Sequence, residues 1–232
     1  MAGLAAHLLI ARELQKILPN GTIGNMGQFY AGSIAPDAVH SRINYVRAHK
    51  KHTHLRDDIA DTEFIREENL SLFRQRVADY ILEHRTGEDG LLDVYRGYVA
   101  HLLTDELYFL TLRQEFVLDM EKLGIGQTDQ EFFQRVIADM HRNDFLLLYH
   151  DRELDQIRYH LEQVTPFGLE PMLSEEEITD SRRWVIDRFF YEAYDLQEPV
   201  TISFERTKEF VRFAAEDIKS RLSEGGSLPR MF

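Results

Sequence analysis

Apolar residues recur every three to four positions along almost the whole chain, the period of one face of an α-helix. Leu4, His7, Leu8, Ala11, Leu14 and Leu18 share such a face, and Pro19-Asn20-Gly21 ends it. A second stripe, Phe64, Ile65, Leu70, Phe73, Val77, Tyr80 and Ile81, predicts a helix within 62–85. Residues 91–118 are apolar on most sides, as expected of a central, buried helix. Thr128-x-x-Glu131 reads as a capping box opening a helix to about Tyr149, with a further segment to about Val164. Ser174-x-x-Glu177 opens the next, to about Tyr194, and a last helix covers about 202–222.

Residues 20–60 break this pattern. They hold four of the 13 glycines, Pro36 and many small polar residues without a sustained period, so they read as a long ordered loop with short helical turns. No period-2 strand, heptad run, internal repeat or linker is evident. The expectation is an all-α chain, a single domain of about seven helices over residues 1–224, with residues 225–232 ending a frayed C-terminal tail.

Composition narrows the function. A formal charge of −13 argues against stable nucleic-acid binding and against adsorption to anionic membranes, both of which run on clustered positive charge. The chain has no cysteine, which excludes disulfides and thiolate metal sites, so any metal must be held by His, Asp or Glu. No apolar run approaches the ~20 residues of a membrane span. The opening MAGLAAHLLIARELQKIL carries Arg12, Glu13 and Lys16 and lacks a basic leader, so it reads as an amphipathic helix and a cytoplasmic location is expected.

The candidate chemistry lies in His and Asp residues on apolar backgrounds. His101 and Asp105 are four apart in YVAHLLTDELYFL, which places them on one helix face with Cβ atoms ~5–6 Å apart. Such a pair can grip one cation, or it can be a core histidine hydrogen-bonded to a carboxylate. His7, on the apolar face of the first helix, is open to the same two readings. Asp37 follows Pro36 in GSIAPDA and could equally cap its own turn. His49, His52 and the lysines of RAHKKHTHLRDD read by default as a solvated basic segment, yet Arg47, Lys50, Lys51 and Arg56 could attract a phosphate.

Taken together, AHLLIARELQKIL, GSIAPDA, KKHTHL and GYVAHLLTDELY resemble the zinc-dependent phospholipase C family, whose all-α fold is shared with the S1/P1 nucleases. The likeness covers about residues 2–110, and Gly97-x-x-x-His101-x-x-x-Asp105 carries it most directly. It implies that His54, His101 and Asp105 are ligands of one zinc. Asp37 would be a further ligand or the catalytic carboxylate that positions the attacking water. His7, with a bridging Asp105, would belong to a second zinc site. Thr53-His54-Leu55 is the part of KKHTHL that matches, so His54 is preferred to His52.

The chain departs from the family pattern in its later histidines. Six residues after Asp105 stands Thr111, where the secreted enzymes have His. His141, His150 and His160 are followed four positions on by Phe145, Leu154 and Val164, so no His-x-x-x-Glu completes a third site. His7 is preceded by six residues and no evident signal, whereas the secreted enzymes use a mature N-terminal amine as a ligand. One or two divalent ions are therefore expected, zinc first, with iron, manganese or nickel tolerated by three imidazoles and two carboxylates.

The implied reaction is phosphoric-ester hydrolysis of a small phosphodiester or phospholipid headgroup by metal-activated water, with Lys50, Lys51 and His141 as substrate contacts. An HD-type phosphohydrolase is a rival through His150-Asp151, and a non-catalytic helical protein with a structural or vestigial metal site is another. In the second half the aromatics read mainly as core, and Asp139, His141 and Asp144 could face the site.

Overall fold

The computed structural model describes residues 2–232. Ten α-helices follow one another: α1 (Leu4–Ile17), α2 (Met26–Ile34), α3 (Arg47–Thr53), α4 (Glu67–His84), α5 (Leu92–Leu110), α6 (Leu112–Lys122), α7 (Gln130–His150), α8 (Leu154–Glu162), α9 (Glu175–Ile186) and α10 (Phe204–Leu222). A 3-10 turn, Ala35–Ser41, continues α2, and a π-turn, Asp187–Tyr191, continues α9. Among the described residues there is no strand, and the one ladder-type pairing is an isolated bridge between Leu169 and Leu173. No described helix is long and apolar enough to cross a membrane.

The all-α expectation holds, with more and shorter helices than about seven. The 91–118 pattern divides at Thr111, whose hydroxyl donates back to the Leu107 carbonyl at 2.7 Å. Such back-bonding competes with the helical ladder and turns the chain. The Ser174 capping box forms, Ser174 N–H donating to Glu177 at 2.9 Å and Glu177 N–H to Ser174 Oγ at 3.2 Å. The Thr128 box does not: α7 starts after Asp129, whose carboxylate accepts instead from Gly126 N–H at 2.7 Å. α4 starts at Glu67, later than expected.

Residues 20–60 hold two helices that periodicity misses. α2 is buried on nearly all sides, so its sequence, MGQFYAGSI, has no polar face to reveal a period. It lies against α5 at backbone distance. A Cβ on Gly97 would stand 2.2 Å from the Phe29 carbonyl oxygen, and one on Gly32 would stand 2.1 Å from that of Val94. Only glycine permits so close an approach.

α5 is the axis of the molecule and is buried along most of its length. Glu106, fully buried on it, accepts from Arg74 of α4 at 2.6 Å and from Arg221 of α10 at 2.7 Å, tying three helices together. The tail is not frayed. Leu228 N–H donates to the Arg221 carbonyl and Met231 N–H to that of Leu222, at 3.1 and 2.9 Å. Arg96 holds the Met231 carbonyl at 2.9 Å, and the Met231 side chain is buried in the core.

Candidate metal centre

The close packing of α2 on α5 sets the first candidate ligand. It brings the Ser33 carbonyl 2.8 Å from His101 Nδ1. A carbonyl only accepts, so Nδ1 carries the proton and Nε2 keeps a lone pair. That lone pair points into the cluster, 3.2 Å from His54 Nε2. A carbonyl behind one imidazole nitrogen is the usual way a ligating histidine is oriented.

Four further residues close around it. His54 follows α3, with Nδ1 3.1 Å from Thr53 Oγ, which itself donates to the Pro36 carbonyl at 2.8 Å. His7 of α1 stacks on the His101 ring, centroids 3.7 Å apart and planes 5° from parallel. Asp105, one turn beyond His101, accepts from Ala2 N–H on Oδ1 at 2.9 Å. The same oxygen is 3.6 Å from His7 Nε2, and Oδ2 is 3.7 Å from His54 Nε2. Asp37, on the 3-10 turn, accepts from Lys50, and its Oδ1 lies 3.5 Å from His54 Nε2. All five are buried.

The charge state suits ligation. Burial and the neighbouring His7 push the His101 imidazolium far down, and burial with Lys50 lowers that of His54, so both rings are neutral near pH 7. Burial opposes the Asp37 carboxylate, yet Lys50 and His54 outweigh it and hold the acid well below its usual range. Asp105 is likewise held low against burial, with His7 and His101 among its stabilising neighbours.

Both nitrogens of His7 and Oδ2 of Asp105 are buried without a hydrogen-bond partner. Buried polar atoms are almost always satisfied, and an orphan of this kind calls for an ion or a water. Ligand atoms of His7, His101 and Asp105 lie within 4.8 Å of one another, as do those of Asp37, His54 and His101. Imidazoles and carboxylates at this spacing fit a divalent cation.

The five residues singled out from the sequence thus lie together, in two overlapping groups that share His101. His54 falls with Asp37, and Asp105 falls with His7. His101 is common to both groups but has one free nitrogen, since Nδ1 is committed to Ser33.

A cavity of about 600 Å³ opens on Asp37, Lys50 and His40, with Leu4, Met140 and the half-exposed Trp184 along its sides. Lys50 is buried beside Asp37 at this cavity, whereas Lys51 does not line it. His141 lines an adjoining pocket of about 100 Å³ that shares Leu4, Met140 and Trp184 with the larger one. Asp144 lines that adjoining pocket as well, and both Asp139 and Asp144 accept from backbone amides. Asp139 accepts from the amides of Val200, Thr201 and Ile202, and Asp144 from that of Ala6 at the start of α1.

The basic segment is largely spoken for. Arg47 and Arg56 both pair with Asp61, His52 pairs with Asp57 at 3.0 Å, and His49 Nδ1 accepts from Val46 N–H at 3.3 Å. The His150-Asp151 dyad does not gather further ligands: His150 is exposed and packs on Phe204, and Asp151 is held by Arg12.

Sequence reasoning missed His40, 3.1 Å from Lys50 Nζ, although Asp37 and His40 are three apart, the spacing that aligns side chains on a 3-10 turn. Ser33 acts through its carbonyl, so its side-chain type gave no signal. Comparison with known proteins found no matching family model, no matching curated protein and no matching solved structure.

Proposed function

We propose that the chain is a metal-dependent phosphoric-ester hydrolase acting on a small phosphodiester or phospholipid headgroup. The observation that carries this reading is the convergence of five buried His and Asp side chains, three of their atoms unsatisfied, beside a cavity whose lining includes Asp37 and Lys50. The likeness of the four motifs to the zinc-dependent phospholipases supports it. So does the opening onto the cavity, because catalysis needs an accessible position that a closed structural site lacks.

His101, His54 and Asp37 would hold one divalent ion, and His7 with Asp105 would hold an ion on the other side. A bound divalent ion supplies Lewis-acid activation of water and neutralises charge at phosphorus. The chain supplies the rest. Asp37, beside the cavity, would orient the attacking water. Lys50 brings a positive charge to the cavity for a phosphoryl oxygen. Met140 and Trp184 line the same cavity and would pack against the leaving group.

Elemental analysis of untagged protein is expected to give one or two divalent ions per chain, zinc first. His101→Ala and Asp105→Ala are expected to lose them with the helical circular-dichroism spectrum retained. With zinc restored, the wild type should hydrolyse bis(4-nitrophenyl) phosphate, and Asp37→Asn should lower kcat by about 10² or more. A wild type that retains no metal after zinc loading and washing would overturn the proposal.

A further inference from the structure

Lys50 stands where a cation is wanted. It projects from α3, a helix whose segment carries two other basic residues into pairs with Asp61 or solvent, yet its own side chain is buried. Nζ donates to Asp37 Oδ1 and sits 3.1 Å from His40 Nε2. That Asp37 oxygen is the one 3.5 Å from His54 Nε2, in the group Asp37, His54 and His101. An ammonium and a divalent ion cannot both take the same carboxylate oxygen from the same side. The cavity of about 600 Å³, which Lys50 and His40 both line, gives the flexible side chain room to move.

The geometry points to Lys50 as an internal place-holder for the metal: it neutralises Asp37 while the centre is metal-free, yields Oδ1 to the arriving ion, and turns into the cavity beside His40. Two physical terms act in the same direction. In the metal-free chain a buried carboxylate would otherwise lie uncompensated, so the pair keeps the site from collapsing or protonating. In the loaded chain the ammonium opposes the ion through charge repulsion and through competition for the oxygen. Lys50 therefore tunes metal affinity downward while it preserves the metal-free fold. The displaced ammonium also becomes available to a phosphoryl oxygen only when the metal is present, which couples substrate binding to metal loading. This inference rests on the metal-centre reading above and is independent of what the centre hydrolyses.

The test is zinc titration of metal-free wild type, Lys50→Met and Lys50→Gln against a competing chelator, with thermal melts of each protein with and without zinc. Both variants are expected to bind zinc tighter than wild type by about tenfold or more. Without zinc both should melt at a lower temperature, and the zinc-induced rise should be larger than in wild type. Lys50→Gln retains a polar side chain and covers the case in which Lys50→Met fails to fold. In an Asp37→Asn background the gain in affinity should shrink, because the contested oxygen's charge is gone and only the repulsion between ammonium and ion remains.

Equal or weaker zinc binding in both variants, or a gain that is undiminished in Asp37→Asn, overturns the place-holder. No zinc bound by wild type or variants overturns the metal centre and the place-holder together. Tighter zinc in the variants, in a protein that cleaves no phosphate ester, overturns the hydrolase reading alone.

Discussion

Asp144 of α7 lies buried against the first turn of α1, so close that a Cβ on Gly3 would fall 2.2 Å from its carboxylate oxygens. Burial raises its pKa to about 7, despite the amides of α1 that favour the ionised form. An acid raised from its ordinary value of 3.8 holds its proton in the folded chain where the unfolded chain has lost it. Its contribution to stability is full below its unfolded pKa and is lost as the pH climbs to about 7. Asp144→Asn keeps the capping oxygen and removes the proton. Urea unfolding at pH 5 and pH 7 should show a fall in stability in wild type and a smaller fall in the variant. Asp144 was legible as an acid near the site but not as a cap, because its partner helix begins some 140 residues earlier in the chain. His7, His101 and Asp105 were legible individually, since each is a polar side chain on an apolar face, and that anomaly is visible without coordinates.

Among the elements, α2 and α5 show where sequence patterns succeed and fail. Periodicity finds α1, α4 and α7, whose opposite faces differ in polarity. It misses α2, which is apolar or small all round, and it joins α5 to α6, since the Thr111 break depends on a side-chain-to-backbone bond. Gly97 stands out in the Gly-x-x-x-His-x-x-x-Asp motif, and the structure supplies its physical reason: no side chain fits between α5 and the α2 backbone. Gly97→Ala should force the helices apart. It should cost about 1–3 kcal/mol in urea unfolding, the price of overpacking a tight contact. Zinc affinity should fall with it, because the Ser33 carbonyl that orients His101 moves with α2. Full zinc affinity in a destabilised Gly97→Ala protein would show that the carbonyl contact is dispensable.

For the molecule as a whole, the ends of the chain belong to the same core as its centre. A stretch reading SEGGSLPRMF looks like tail by composition alone, and nothing local in it announces the burial of Met231. The anchor is Arg96, one residue before Gly97 on α5, which reaches the Met231 carbonyl and also holds that of Thr22 at 2.6 Å. Such long-range contacts are set by tertiary packing and leave no periodic trace. Met231→Ala should therefore behave as a core truncation and lower stability by about 2 kcal/mol or more, read from the urea midpoint at unchanged slope. A change within a few tenths of a kcal/mol would return the segment to the frayed class.

The ligand-type side chains sit at positions 7, 37, 54, 101 and 105, on segments that meet only in the finished fold. A nascent chain leaving the ribosome offers isolated histidines and aspartates until Asp105 has emerged and α5 has docked on α2. Before then it has no more hold on a cation than a short peptide does. On the proposed metal-centre reading, metallation would follow folding: an ion would be held only once α5 has docked on α2, and a product cut short of Asp105 would stay empty.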